Sequence, residues 1–145
     1  MNLKPTLRAI LLTGALSFIT ATAIARSAEL QEPPRTEIVT LDNTKASTPT
    51  LVRRAIILGG ARRGWKPIAD NPGVLTVMLS AREHQMTADI LYDAHSFQIK
   101  FKSSTNLNEE KSGDRITIHP KVNKWLADLN EDIRSAAVEG ASKTN

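Results

Sequence analysis

The chain has 145 residues, with 19 lysines and arginines against 15 aspartates and glutamates, and it contains no cysteine. The missing cysteines exclude disulfides, thiol catalysis, thiolate metal sites and lipid attachment through a cysteine. The formal net charge of +4 includes Lys4 and Arg8 of a predicted signal peptide, whose removal leaves only +2. Such a weak positive charge argues against nucleic acid as a partner.

Residues 1–25 are typical of a signal peptide. Lys4 and Arg8 precede an apolar stretch, and Ala23 and Ala25 provide the small side chains of a cleavage site. The apolar stretch is shorter than the roughly 20 residues of a spanning helix, so a retained membrane anchor is the alternative. We therefore predict a periplasmic or secreted protein that keeps no stable transmembrane segment after signal cleavage.

The remaining chain is predicted to form one domain with loose ends. Residues 26–47 contain Pro33-Pro34 and no sustained periodicity, which predicts a flexible linker. Residues 139–145 are small and polar, which predicts a disordered tail. The folded unit is thus predicted over residues 48–138, enough chain for a single core.

A first helix is predicted to begin at Thr48-Pro49 and to end at Gly64. Thr48 can cap the first turn, Pro49 suits the first helical position, and Gly64 suits the residue just beyond the helix. Gly59 and Gly60 lie inside this helix, where each costs roughly 1 kcal/mol relative to Ala. We predict that they permit close approach to a sheet.

Alternating apolar and polar residues predict an antiparallel meander after this helix. The predicted strands cover residues 65–68, 74–82, 87–92 and 97–102. Matching of the apolar faces predicts the pairs Tyr92–Phe97, Ile90–Ile99, Ala88–Phe101 and Asp89–Lys100.

A second helix is predicted over residues 120–138, where apolar residues recur every three or four positions and Trp125 belongs to the apolar face. The predicted fold class is α+β. It is a two-layer sandwich, in which an antiparallel four-stranded meander is covered on one face by an N-terminal and a C-terminal helix (α-β-β-β-β-α).

Several short motifs resemble a family of small uncharacterised bacterial envelope proteins, many of them lipoproteins. The resemblance covers roughly residues 51–133. Its residues are Arg63-Gly64-Trp65, Ser104, Asn106-Leu107, Ile118-His119, Asn123, Trp125 and Leu129. The chain departs from the family in lacking the lipidated cysteine and in having Val122 where a tyrosine is expected. The resemblance implies an envelope location and supplies no catalytic residue.

The histidines do not predict a metal site, and no motif predicts a cofactor. His84 and His95 lie in consecutive loops, which fall at opposite ends of a meander, too far apart to share one ion. His119 is the weak candidate for a catalytic residue, as a general base. The alternative is that it ends a strand and caps the second helix.

Two surfaces are predicted to bind a partner. The first is a basic cluster around the end of the first helix, and the second is the open face of the sheet, where Met78 is expected beside Leu91. The basic cluster comprises Arg53, Arg54, Arg62, Arg63 and Lys66; the sheet-face residues are Met78, Asp89, Leu91 and Lys100.

The sequence does not name an activity. It favours an exported, non-enzymatic binding or interaction module, with an envelope protein or an anionic ligand as partner. Self-association through the sheet face or a sheet edge is a further expectation. The alternative is a small periplasmic hydrolase or other enzyme that uses His119.

Overall fold

The computed structural model describes residues 26–38 and 47–142 of the chain. Within these residues there are two helices, α1 (Pro49–Ala61) and α2 (Lys121–Ser142). The strands, in chain order, are β1 (Ala28–Glu29), β2 (Thr36–Glu37), β3 (Lys66–Asn71), β4 (Val74–Ala81), β5 (His84–Tyr92), β6 (Ser96–Thr105), β7 (Glu110–Ser112) and β8 (Arg115–Ile118). The predicted signal peptide lies outside the described residues.

The α+β class is confirmed, but the sheet is not a single four-stranded meander. Strands β3 to β6 form the predicted meander, and β2 adds a fifth strand beside β6, in the order β2-β6-β5-β4-β3. A second, three-stranded sheet has the order β1-β8-β7, and both sheets are antiparallel. The additional strands are only two to four residues long, and of these the sequence indicated only β8, as the strand that His119 would end.

The predicted register between β5 and β6 is confirmed. Tyr92 pairs with Phe97, Ile90 with Ile99, Ala88 with Phe101 and Asp89 with Lys100. This register places the large apolar side chains of both strands on one face, where they share a core with α1 and α2. Matching of the apolar faces of β5 and β6, as predicted from the sequence, therefore places these side chains in the core.

Both ends of α1 are set by local side-chain and backbone contacts. Thr48 accepts a hydrogen bond at Oγ1 from the Leu51 N–H (3.3 Å), and Pro49 follows it. At the other end Gly64 has φ +83°, and the Trp65 N–H donates to the Gly60 carbonyl (3.1 Å) in a Schellman motif. This turn sends Trp65 back into the core, where it is 2% exposed.

The glycine pair in α1 lies against α2 and not against a sheet, so that prediction was wrong. A Cβ at Gly59 would lie 2.6 Å from both the backbone N and the Cα of Ile133. A Cβ at Gly60 would lie 3.2 Å from the Trp65 Cβ. Since a backbone cannot rotate out of the way as a side chain can, Gly59 sets the distance between the two helices.

Helix α2 is longer than predicted. Val122, Leu126, Leu129, Ile133 and Ala136 are buried along one face, as their spacing predicts. The helix continues to Ser142, so the described part of the predicted disordered tail is helical instead. Glu139 accepts a hydrogen bond from Arg62 at 2.8 Å, which holds this last part of α2 beside the end of α1.

The described part of the predicted linker is also structured. We call residues 26–38 the N-terminal clasp, because β1 pairs with β8 of one sheet and β2 pairs with β6 of the other. Its partners lie far along the chain, which is why local sequence patterns predicted only a flexible segment. Residues 39–46 of the predicted linker lie outside the described residues.

No helix in the described ranges is both long enough and apolar enough to cross a membrane.

Candidate functional site

The predicted basic cluster does not form one site. Arg53 lies in the first half of α1 and donates to Asp70 (Nε to Oδ2, 2.9 Å), whereas Arg62 and Arg63 lie just beyond the end of the helix. About 14 Å of helix separate Arg53 from Arg62 at 1.5 Å per residue. The hydrogen bond from Arg53 lowers the pKa of Asp70 below its ordinary value. Arg53 is therefore committed to an ion pair with the neighbouring strand.

The remaining cations of the cluster differ in their contacts. Arg63 donates from Nε to Asp132 at 2.5 Å, and this hydrogen bond raises the pKa of the guanidinium. Arg54 and Lys66 are exposed, and their side chains have no ion-pair partner within residues 26–38 and 47–142. An anionic ligand would thus meet two separated cations and not a continuous basic patch.

The open face of the sheet is organised differently from the prediction. Met78 pairs with Thr87, and Leu91 pairs with Val74, so Met78 and Leu91 are four residue positions apart along β4. The expected apolar spot is therefore not formed. Leu91 is one of four exposed large apolar side chains among the described residues, and scattered exposed apolar side chains are normal for a protein surface.

The charged residues of the open face are already in contact with protein groups. Asp89 accepts hydrogen bonds from Thr76 (2.6 Å) and Lys102 (3.0 Å). Lys100 donates to Glu32 of the N-terminal clasp at 2.8 Å. Because these charged groups already have partners within the protein, fewer charged atoms of the open face are available to bind another molecule.

The three histidines are separate from one another. His84 Nδ1 lies 2.7 Å from the Asn106 carbonyl, and His95 is exposed in the turn between β5 and β6. His119 Nδ1 accepts a hydrogen bond from the Lys121 N–H at the start of α2 (3.2 Å). His119 therefore caps α2, which is the role predicted as the alternative to general-base catalysis. Among the described residues, no three acidic or histidine side chains come together to hold a metal ion.

Asn123 and Trp125, at the start of α2, face different neighbours. The Asn123 side chain accepts from the Gln31 N–H and donates to the Glu29 carbonyl, both at 2.8 Å. It therefore fixes the N-terminal clasp to α2. Trp125 is half-buried and packs against the core, and it also borders a surface groove.

This groove is the strongest candidate for a site. It lies where the turn after α1, the end of β4 and the first turns of α2 meet, and its volume is about 340 Å³. We call it the indole groove because both tryptophans of the chain border it. Its aromatic and polar lining residues are Arg63, Trp65, Ser80, Lys124, Trp125 and Asp128.

Trp65 gives the groove its most unusual feature. Its indole N–H is buried, and it is the one buried side-chain nitrogen or oxygen in the described part of the chain that lacks a hydrogen-bond partner. Buried donors are almost always paired, and an unpaired one costs about 1–3 kcal/mol. The nitrogen is closed to solvent, so a ligand in the groove could accept this hydrogen bond only if the side chains around the ring moved aside.

The charged groups of the groove form a connected network. Asp128 accepts from Lys124 (2.8 Å) and lies 3.6 Å from Nη1 of Arg63, which also pairs with Asp132. Asp128 and Asp132 are mostly shielded, with 22% and 15% of their side chains exposed. The two cations are therefore balanced by Asp128, which lines the groove, and by Asp132, which lies outside its lining.

The sequence placed Trp125 on the apolar face of the second helix and did not predict the groove. The rings of both tryptophans contact the core, but they also border the opening. A signal was present, because a cation precedes each tryptophan closely, Arg63 before Trp65 and Lys124 before Trp125. Large amphipathic rings beside charges are typical of binding sites as well as of cores.

Comparisons with protein-family models, with curated proteins and with solved structures gave no match for this chain. The resemblance to small bacterial envelope proteins therefore stays a prediction, and the roles of individual residues depend on geometry alone.

Proposed function

We propose that the protein is an exported, non-enzymatic binding module of the bacterial envelope and that it holds a small ligand in the indole groove. The single observation that carries this proposal is the groove itself, where the half-buried ring of Trp125 lies beside Ser80 and the ion pair of Lys124 with Asp128.

The shape and lining of the groove support a small ligand. Its volume of about 340 Å³ is near the lower end of the range for small-molecule sites, about 300–1,000 Å³. The half-buried ring of Trp125 offers an apolar surface, and Ser80 and Asp128 offer polar atoms. Apolar surface with a few polar groups is the usual composition of such sites.

The location of the groove on rigid elements also supports binding. Trp65 is held by the turn after α1, and Trp125 is held by α2, whose next turn contributes the buried Leu126 and Leu129. Groups held in place before binding lose little conformational freedom when the ligand arrives.

The two tryptophans make the proposal testable without knowledge of the natural ligand. In a ¹⁵N-labelled protein lacking residues 1–25, the side chains give two indole N–H signals, and Trp125→Phe assigns them by removing one. The probes are a panel of small sugars, amino acids, dicarboxylates and inorganic phosphate, each at millimolar concentration. We expect at least one probe to shift one or both indole N–H signals, since both rings border the groove.

Two variants locate the binding. Trp125→Ala should weaken binding of an active probe by roughly thirtyfold, the effect of losing about 2 kcal/mol at an aromatic contact. Leu91→Ala is the matched control, since it removes an exposed apolar side chain from the open sheet face, and it should leave binding unchanged. A panel that shifts neither indole signal, or a probe whose binding depends on Leu91 and not on Trp125, would contradict the proposal.

A further inference from the structure

We infer that the outward face of α1 is a docking surface for an anionic lipid membrane. This inference is independent of the indole groove and goes beyond the proposed function. It depends on three features of that face, which are its exposed leucines, its unbalanced positive charge and the position of an arginine between the leucines.

Two exposed leucines lie on one line along α1. Leu51 and Leu58 are 43% and 47% exposed. They are separated by nearly two full helical turns, so their side chains leave the helix in almost the same direction. Arg54 lies between them on the exposed side, and Arg62, in helical conformation just beyond Ala61, continues the line. We call Leu51, Arg54, Leu58 and Arg62 the outer stripe of α1, which is about 16 Å long at 1.5 Å per residue.

The positive charge of the outer stripe is not balanced on its own helix. Residues 49–61 contain two arginines and no acidic residue. Arg62 pairs with Glu139 of α2, but Arg54 has no ion-pair partner within the described part of the chain. Residues 49–71 contain five cations and one acid, a net charge of +4, whereas the rest of the chain without the predicted signal peptide has 12 cations and 14 acids, a net charge of −2. Positive charge is therefore concentrated in α1 and the strand that follows it.

Helix α2 does not share these features. Among the residues that the structure describes, it exposes no large apolar side chain. Outward charges of both signs pair along it, Lys124 with Asp128 at 2.8 Å and Arg134 with Glu131 at 3.6 Å. Exposed leucines beside a cation without an ion-pair partner are thus a property of α1 and not of both helices.

The position of Arg54 favours a membrane over a second copy of the chain. Two outer stripes packed against each other would bury Arg54 of each copy, and α1 has no carboxylate to pair with it. Burial of an uncompensated charge is strongly destabilising. A groove on another protein that accepted both leucines would need a matching carboxylate at this one position.

A membrane needs no such match, because its anionic phosphates lie over the whole surface. A long arginine side chain reaches the phosphates while its neighbouring leucines enter the apolar region beneath them. Each cation near an anionic membrane surface also contributes about 1 kcal/mol of attraction, which corresponds to a factor of about five in binding. The outer stripe offers both kinds of group on one side of a helix.

Vesicle binding tests the inference. The protein without residues 1–25 is mixed with vesicles of phosphatidylcholine alone, or of phosphatidylcholine and phosphatidylglycerol in equal parts, and the bound fraction is measured by sedimentation. We expect binding to the anionic vesicles to be tighter by at least about tenfold and to weaken with added salt, which screens the attraction. Equal binding to both kinds of vesicle, or binding to neither, would overturn the inference.

A fluorescent label locates the contact. Because the chain has no cysteine, Leu58→Cys can carry a single environment-sensitive fluorophore, whose emission should shift to the blue on anionic vesicles. Leu91→Cys is the matched control, since Leu91 is an exposed leucine of the open sheet face, and its label should not respond. A blue shift for Leu91→Cys without one for Leu58→Cys would overturn the inference.

A charge variant provides the second arm. Arg54→Gln should weaken binding to anionic vesicles about fivefold and leave the melting temperature unchanged, because the side chain is exposed. Arg82→Gln removes the same charge from the exposed turn between β4 and β5 and should leave binding nearly unchanged. Equal losses in the two variants would show that overall charge and not the outer stripe drives the binding, which would overturn the inference.

Two further outcomes would assign the outer stripe to another partner. Binding to soluble poly-glutamate without binding to vesicles would indicate an acidic protein surface. A dimer without lipid that Leu58→Ser dissociates would indicate a second copy of the chain. Either result would overturn the membrane as partner and leave the indole groove unaffected.

Discussion

The contact between the two helices and the attachment of the N-terminal clasp hold the same domain together in opposite ways. At the helix contact, Gly59 meets the backbone of Ile133 with no room for a methyl group. The clasp is attached by two-residue strands and polar side-chain contacts, such as Arg35 with Asp93 and Lys100 with Glu32. Leu30 and Ile38 of the clasp also pack against the edge of the core. The helix contact thus depends on shape, whereas the clasp combines a few apolar contacts with hydrogen bonds and charges.

This difference predicts different responses to damage. Packing defects between buried backbones affect the whole core, because close-packed interiors have little room to relax. Half-exposed ion pairs contribute little each, about 0–1 kcal/mol, so their loss should release only the clasp. We therefore expect the domain to unfold as one unit when the helix contact fails, and the clasp to open locally when its polar contacts fail.

The largest effect is expected for Gly59→Ala. Alanine favours a helix by about 1 kcal/mol over glycine, but here its Cβ would lie 2.6 Å from backbone atoms of Ile133. Separation of the helices should outweigh that gain and lower the free energy of unfolding by about 1–3 kcal/mol, the usual range for overpacking. Urea denaturation followed by circular dichroism measures this loss.

Gly140→Ala is the matched control in α2. Among the described residues, no atom outside the neighbouring helix backbone lies within 4 Å of a Cβ placed there, so the helical preference for alanine should stabilise the protein by up to about 1 kcal/mol. If Gly59→Ala stabilised the protein as Gly140→Ala is expected to, the close contact between the helices would be refuted.

The same two regions also show what the sequence could predict. The start of α1 at Thr48 and the pairing of Ile90 with Ile99 were predicted correctly because caps and alternation are local patterns. The clasp was not predicted, because its contacts join residues 58 to 94 positions apart and its strands have two residues each. Gly59 was recognised as a position that needs close approach, but sequence does not reveal which element lies opposite.

The candidate site, like the clasp, could be predicted only in part from local sequence patterns. The spacing of Trp125 correctly predicted that its ring contacts the core. No local pattern indicated that Trp65 and the end of β4 would lie beside Trp125 and form a groove with it. That meeting depends on the turn at Gly64 and on how α2 lies relative to the sheet. The predicted basic cluster failed as a single site for a related reason, since Asp70, Asp132 and Glu139 reach its arginines from other elements.

A middle-sized effect is expected for Asn123→Ala, which removes both hydrogen bonds between α2 and the clasp backbone. The loss should be about 1–2 kcal/mol, since each bond contributes about 0.5–1.5 kcal/mol. The Gln31 amide should therefore exchange its hydrogen roughly tenfold faster in the variant. Amide exchange followed by NMR measures this directly.

The amide of Ile90, in the centre of the large sheet, is the internal reference for that experiment. Its exchange should be almost unchanged, because its side chain is fully buried and its strand β5 is paired on both sides, with β4 and with β6. Equal acceleration of hydrogen exchange at Gln31 and Ile90 would mean that the clasp and the domain open together, which would contradict local opening of the clasp.

The smallest effect concerns Asp93, where the clasp residue Arg35 meets the turn between β5 and β6. The His95 backbone N–H and the Ser96 hydroxyl donate to this carboxylate and lower its pKa from 3.8 to about 2, with a further contribution from Arg35. A carboxyl whose pKa is lower in the folded protein stabilises the fold above its unfolded pKa and loses that effect as the pH falls. The contribution of Asp93 should therefore be complete above about pH 4 and disappear towards pH 2.

NMR titration of the Asp93 carboxyl carbon should give a midpoint near pH 2. Ser96→Ala removes one of the donors and should move the midpoint towards the ordinary value of aspartate, whereas Asp93→Asn should flatten the fall in stability between pH 4 and pH 2. Because the Asp93 side chain is half exposed, salt should weaken the part of the effect due to Arg35 and leave the backbone contribution. An ordinary midpoint in the intact protein would show that the turn does not hold this carboxylate, and the clasp would then lose one of its attachments to the large sheet.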